Sequence, residues 1–398
     1  MFRKVPILKI GATALSAVLL LLLAGCGYGS SGGTNQQTVS NIRPRAFVSN
    51  ATADVLQIMN AAKDALVTNT ISVGVQPGLM ALAPNKSFTL VFNAGSNNLS
   101  VVDNLKETQT TTIALPSWTE SIAISPDSTL GYVAMPAATV LGQPAGLLYV
   151  LDLVHNHVKV GVNIPQVHWV VVNGSGSRVL AFSDNSDSVT VISPSQIGKG
   201  AVSTTVSGFD RPVWGVFSSD GSKAYILNCG PECGGSNAGI TVLDMASNTA
   251  GATVGLSGAT MGMLNNGNLY VAGSGHGVGT LQVVNTAGLT ASPPVTISNG
   301  YHNRMELSSN NKLFIGSRGC SGRGCLSIFD IGANTAAVDT PNGDVTGIAP
   351  IGGGNEVYVV EGGELRIFDT TTSAPSTIHF VDIVGKAMDV KEVDNPPQ

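Results

Sequence analysis

The chain has 398 residues, of which 11% are charged, 43% are hydrophobic and 48 are glycine. So few charges exclude a long coiled coil or a solvated disordered chain, and abundant glycine without a Gly-X-Y period excludes collagen and points to many tight turns. The formal charge is −5, and setting aside Arg3, Lys4 and Lys9 of a basic leader leaves 17 Lys/Arg against 25 Asp/Glu, or −8; this acidic balance argues against a nucleic-acid partner, which needs a basic face to neutralise phosphates.

The first predicted element is an export signal over residues 1–25. Arg3, Lys4 and Lys9 flank the start of an apolar run, Ile10 to Leu23. That run is too short to cross a hydrocarbon core of ~30 Å as a helix. It ends in Leu23-Ala24-Gly25-Cys26, which resembles the lipobox of bacterial lipoproteins: an aliphatic residue, two small ones, then cysteine. The resemblance implies cleavage before Cys26 and lipidation of its thiol. An ordinary signal peptide with an incidental cysteine is the alternative. The lipoprotein reading places the protein in a bacterial cell envelope, held to a membrane through Cys26. Gly27 follows the cysteine, which under enterobacteria-like sorting implies the outer membrane, on its periplasmic side or at the cell surface.

Residues 26–41 form the second element, a tether. Gly, Ser, Thr, Asn and Gln dominate it, and no aliphatic residue occurs before Val39. Such a stretch buries too little apolar surface to order itself.

From 42 to 394 the chain repeats itself, leaving a short tail at 395–398. A five-residue pattern of alternating apolar positions ends in Asp, Asn or Ser eight times: at Asn60, Asp103, Asp152, Ser193, Asp244, Asn285, Asp330 and Asp369. The spacings run from 39 to 51 and average about 44, the period of a four-stranded propeller blade. Before each anchor lies a β-rich run such as TLVFN or AYILN. Before most of these runs lie a small apolar strand and a polar turn, as in WGVFSSDGS; after the anchor comes a weaker strand. The four are strands A to D. The anchor carboxylate or amide can bond nearby N–H groups and start the C–D turn. Val55 to Val67 also carries helical spacing, but the repeat requires strand, turn and strand there, since a missing blade edge leaves backbone groups unpaired. Residues 42–49 begin with strand B, and Lys386 to Val390 supplies the missing strand A. The predicted fold is therefore an all-β, single β-propeller of eight four-stranded blades, closed by pairing the C-terminal strand with the N-terminal blade.

Thr70 to Asp103, TISVGVQPGLMALAPNKSFTLVFNAGSNNLSVVD, resembles the YVTN-type β-propeller repeat. It carries Gly74 and Pro77 ahead of strand A, Ala-Pro-Asn after it, and the Val-x-Asp anchor. The likeness covers most of 43–394 and departs from the pattern at Ser193, which lacks the Asp, and at Gly352-Gly353-Gly354. Members of this family often have seven blades, which makes seven the alternative count.

Four further cysteines form two close pairs, Cys229 with Cys233 and Cys320 with Cys325, each between strands B and C of its own unit. An exported compartment permits disulfides, and cross-pairing has to reach over an intervening blade. Two locally closed loops are expected, with free thiols or a thiolate metal site as alternatives. The B–C loops are the long ones (135–147, 229–239, 318–325), and long loops on a rigid scaffold are where binding residues collect.

Trp118, Trp169 and Trp214, the three tryptophans of the chain, fall at or near the start of strand A in successive units. Glu120, His168, Arg211, His302, Arg304 and Lys386 hold similar positions. Together they make a candidate ligand-binding rim on the B–C/D–A face; filling of a wide eight-bladed channel is the structural alternative. His168 and Glu120, from adjacent units, are a candidate base and orienter. His155 and His157 read as a solvated strand end. His276 in a glycine-rich run reads as a hairpin rather than a phosphate loop, since no helix follows. Asp184 and Asp187 read as a polar turn rather than a Ca²⁺ loop. No metal site and no cofactor are expected. The leading function is a monomeric binding or scaffold lipoprotein engaging an envelope protein or a glycan. The alternative is an envelope enzyme on the same scaffold, lactonase-like or a quinone-type oxidoreductase subunit, a reading that rests on fold analogy alone.

Overall fold

Short runs of β-branched and aromatic residues, bounded by turn residues, form strands in groups of four, and each group buries its two faces against its neighbours. A computed structural model describes residues 39–199, 202–321, 324–339, 343–372 and 377–394. Cys26, the leader, nearly all of the tether and the tail 395–398 lie outside the described residues. No helix among the described residues is long and apolar enough to cross a membrane.

The strands make eight antiparallel sheets. Blade 1 spans 77–114, blade 2 121–163, blade 3 167–207, blade 4 212–255, blade 5 261–297, blade 6 301–338 and blade 7 345–381. Blade 8 joins Ala387–Glu392 as strand A to Arg45–Asn50, Val55–Asn60 and Ala65–Ser72. The count is eight rather than seven. Residues 55–67 are strand, turn and strand, and the ring closes between the chain's two ends, with Ala46 opposite Glu392 and Val48 opposite Val390. Each strand A touches the strand A of the next blade, and that of blade 8 touches that of blade 1. These inner strands therefore wall a central channel.

The anchors act locally. Asp103 Oδ1 accepts the N–H groups of Leu105 and Lys106 at 3.0 and 2.9 Å, and Asp152, Asp244, Asn285 and Asp330 each accept two in the same way. Each bond satisfies a turn N–H that is not part of the sheet ladder.

Apolar clusters fill the spaces between blades. Tyr132 and Leu148 of blade 2 pack with Val170 and Ala181 of blade 3, and Val48 and Met59 of blade 8 with Tyr358 and Ile367 of blade 7. The inner strands crowd most. A Cβ on Gly215 in strand A of blade 4 would stand 2.8 Å from Phe182 Cζ of blade 3, so glycine there sets how closely two blades approach.

Candidate functional site

The channel mouth is shaped by a recurring β-bulge. In blades 3, 4 and 7 the A–B register shifts after the first residue of strand A, and in blade 6 after the second. One residue per blade is left out of the ladder: His168, Val213, Asn303 and Thr346. A bulge re-aims the side chain it carries, and three of these four are polar.

Two side chains cross the mouth. Glu120 lies just ahead of strand A of blade 2 and Arg318 ends strand B of blade 6, blades that face each other in a ring of eight. Arg318 donates through both terminal nitrogens to the two oxygens of Glu120, at 2.9 and 2.8 Å. The loop closed by Cys320–Cys325 begins two residues beyond Arg318, and Gly319 N donates to Asp344 Oδ1 at 2.7 Å, which fixes the strand end that carries the guanidinium. Arg318 also lies over the ring of Tyr301, 5.6 Å from its centroid, a cation–π contact. Burial pushes the Tyr301 hydroxyl up to about 12, so it stays protonated.

His168 extends this bridge. Its Nε2 faces Glu120 Oε2 at 3.1 Å and its Nδ1 faces both oxygens of Asp184, at 2.9 and 3.0 Å. Burial works against a charged imidazole, but the hydrogen bonds to Asp184 and then Glu120 outweigh it and raise His168 to about 9. Glu120 is held well below the usual carboxylate range, first by the hydrogen bond from His168 and then by Arg318. At neutral pH the mouth carries an alternating chain, Arg318(+), Glu120(−), His168(+), Asp184(−). His168 and Glu120 do meet, as the sequence suggested, but an imidazolium with a carboxylate at each nitrogen donates from both and has no lone pair to take a proton.

The other rim residues divide. Trp118 is 42% exposed and meets His168 edge-on at 5.9 Å. Trp169 is 8% exposed; the His168 ring stacks on it at 5.4 Å, and it meets Trp214 edge-to-face at 5.8 Å. Both inner tryptophans pack in the core between blades 3 and 4 and also wall the channel. Arg211 lines the mouth and pairs with Asp187 at 3.6 Å. Lys386 is exposed ahead of strand A of blade 8. His302 does not reach the rim: it is fully buried, Nε2 donates to Ser298 O at 2.9 Å, and burial lowers it to about 4, so it is neutral. The bulge after His302 turns its side chain into the core and leaves Asn303 and Arg304 lining the channel. Asp184, Tyr301 and Arg318 belong to the mouth but fall outside the sequence-derived rim.

Both cysteine pairs are at disulfide distance, each with Cα atoms 5.6 Å apart. The first closes a single 3-10 turn, Gly230–Cys233, and Asp210 accepts the N–H groups of Ser236 and Asn237 to hold the rest of the loop. This loop walls a lateral cleft of about 1120 Å³ between blades 4 and 5. Glu232 lines that cleft, accepts Ser274 N at 3.0 Å, and is raised to about 7 by burial. Across from it His276 and Gly277 form a two-residue hairpin turn, both with positive φ (53° and 79°), the geometry of a type I′ turn. His155 pairs with Asp152 at 3.1 Å. Among the described residues no group of three or more His, Cys, Asp or Glu is placed to hold a metal ion.

No protein-family model matches the chain, and no curated protein matches it. Its fold does match solved structures. A dihydro-heme d1 dehydrogenase, NirN, in complex with DHE, aligns with TM-score 0.68 at 11% identity over 88% of this chain and 75% of that one. Hydrazine synthase of Kuenenia stuttgartiensis aligns with TM-score 0.54 at 17% identity over 87% and 99%. A β-propeller domain from Myceliophteria thermophila aligns with TM-score 0.54 at 9% identity over 71% and 92%. At these identities the likeness is one of fold. The chain is an eight-bladed β-propeller.

Proposed function

We propose that this propeller is an exported lipoprotein, anchored through Cys26 and its tether, that works as a binding module for an envelope protein or a glycan. The observation that carries the reading is the build of the B–C face. A cleft of about 1120 Å³, walled by a disulfide-closed loop, lies beside a mouth spanned by charged side chains. Loops ordered before binding reduce the entropy lost on association. Exposed Trp118 and the cleft-lining Glu232 and His276 supply an aromatic surface and hydrogen-bonding groups of the kind that recognise sugars or peptides. The hydrolase reading is the weaker one, since His168 is held as an imidazolium between two carboxylates. The dehydrogenase and synthase names belong to distant neighbours and carry only fold analogy.

Two measurements test the proposal. Labelling cells with an alkyne fatty acid is expected to tag the wild type and not Cys26→Ser; equal labelling overturns the anchor. Crosslinking on intact cells and binding to a glycan array are expected to fall at least tenfold in a Trp118→Ala/Glu232→Ala variant. Unchanged recovery on both would move the binding face elsewhere.

A further inference from the structure

The lower channel contains charged groups that the proposed binding face does not use. Strand A of blade 6, Tyr301–Leu307, sends Arg304 and Glu306 to the same side, while Met305 between them packs into the core. Both charged residues line a cavity of about 320 Å³ that runs past Trp169 and Trp214 to Leu82 and Ile124, at the ends of their strands. Arg304 is anchored only to backbone: Nε donates to Thr346 O at 2.9 Å and Nη1 to Asn303 O at 2.8 Å. Among the described residues its Nη2 edge has no partner and no carboxylate lies within ion-pair distance of it. Glu306 makes no hydrogen bond and no ion pair among the described residues. The nearby Lys391 is taken by Asp389, at 3.3 Å, and Asp389 also accepts Met80 N and Val390 N. Glu120 and Arg318 above are taken by each other.

Two more polar atoms at this level are orphaned. Asn303 Oδ1 and Thr346 Oγ1 are buried without a partner, and both residues line the connecting cavity of about 260 Å³ beneath the Glu120–Arg318 bridge. Buried polar atoms are almost always satisfied. A guanidinium edge and a carboxylate around one cavity, with two orphaned oxygens lining the cavity that adjoins it, call for a ligand that both donates and accepts.

We propose that the lower channel is a binding site for a small zwitterion of the amino-acid class, its carboxylate held by Arg304 and its ammonium by Glu306. The two side chains are two residues apart on one face of a strand, a pitch of about 7 Å. A carboxylate and an ammonium separated by one carbon bridge that pitch with a charge-assisted hydrogen bond at each end. The cavity is roughly twice the ~150 Å³ that holds benzene, so the ligand has on the order of a dozen heavy atoms. Trp169, Trp214 and Met261 offer its side chain an apolar wall. Burial raises the pKa of Glu306 and lowers that of Arg304, so each group gains from a bound counter-charge. This site is separate from the upper face, and either can fail without the other.

The full chain, purified in detergent, is titrated calorimetrically with the common amino acids, with propionate and with ethylamine. At least one amino acid is expected to bind, and its affinity to exceed that of the matching carboxylate and the matching amine by tenfold or more. Glu306→Gln, which keeps the shape and removes an unpaired charge, is expected to fold normally and to weaken the amino acid at least tenfold while leaving propionate unchanged. No binding by any amino acid, or propionate binding as tightly as its amino acid in the wild type, overturns the proposal whatever the variant does.

Discussion

Glu120 and Arg318 are 198 residues apart in sequence, stand on opposite blades of the ring, and meet over the channel mouth through two hydrogen bonds. Both side chains keep about a third of their surface exposed, 35% and 36%, so solvent screens the pair and its contribution is about 1 kcal/mol. Glu120→Gln leaves a guanidinium and an imidazolium facing each other without an anion between them. The expected outcome in thermal scans is a Tm lower by about 2 °C at low salt, with the gap narrowing at high salt. A gap that salt does not change would contradict the electrostatic account.

His168 links the mouth to pH. Its folded pKa, about 9, lies above the ordinary value of about 6.5. The stability it contributes is therefore complete below about pH 6.5 and is lost as pH rises through 9. Wild type minus His168→Gln is expected to show a Tm difference that shrinks across that window. An NMR titration giving an imidazole midpoint near 6.5 would remove the clamp.

Glu232 gives a pH slope of the same direction by the opposite route: folding disfavours its charged form, whereas it favours that of His168. Burial raises its folded pKa to about 7, so the protonated form is favoured in the folded state. The wild type is expected to lose stability as pH rises from about 4.5 through 7, and Glu232→Gln to abolish that slope. Above pH 7 the variant should melt about 2 °C higher. An identical pH profile for the two proteins would mean that Glu232 is solvated in the cleft.

How much of this was legible in the sequence follows from range. The blade period is local: anchors such as Asp103 bond N–H groups two and three residues on, so the pattern repeats wherever the turn repeats, and eight turns announce eight blades. The disulfide pairs are local for the same reason. Arg318 was missed because its partner is set by the geometry of the closed ring rather than by any motif. Only after the count is eight does the end of strand B in blade 6 face the start of blade 2. His302 was misplaced because strict alternation puts residues 302 and 304 on one face, whereas the bulge between them puts His302 in the core and Arg304 in the channel. Composition does not encode a bulge.

The ring closure carries the largest expected single-residue effect. Arg45, 1% exposed, donates to Asp394 at 2.7 and 3.1 Å and to Glu107 at 2.5 Å. Asp394→Ala leaves a buried guanidinium with half its counter-charge, and the expected cost is about 3–5 kcal/mol in urea unfolding. A loss below about 1 kcal/mol would show that backbone pairing alone holds the seam.

That seam also governs timing. Strands Arg45–Asn50 and Val55–Asn60 are made before blades 1 to 7, and their inner partner, Ala387–Glu392, after them. A nascent chain can complete blades 1 to 7 in order as each emerges, yet strands 45–50 and 55–60 wait, with an open edge, until residues 387–392 follow. Any truncation before 387 leaves that edge exposed for another chain to pair with. The arrival of residues 387–392 is thus the step that commits the ring to its closed form, and a chain stopped before them is marked by an unsatisfied strand rather than by a missing domain.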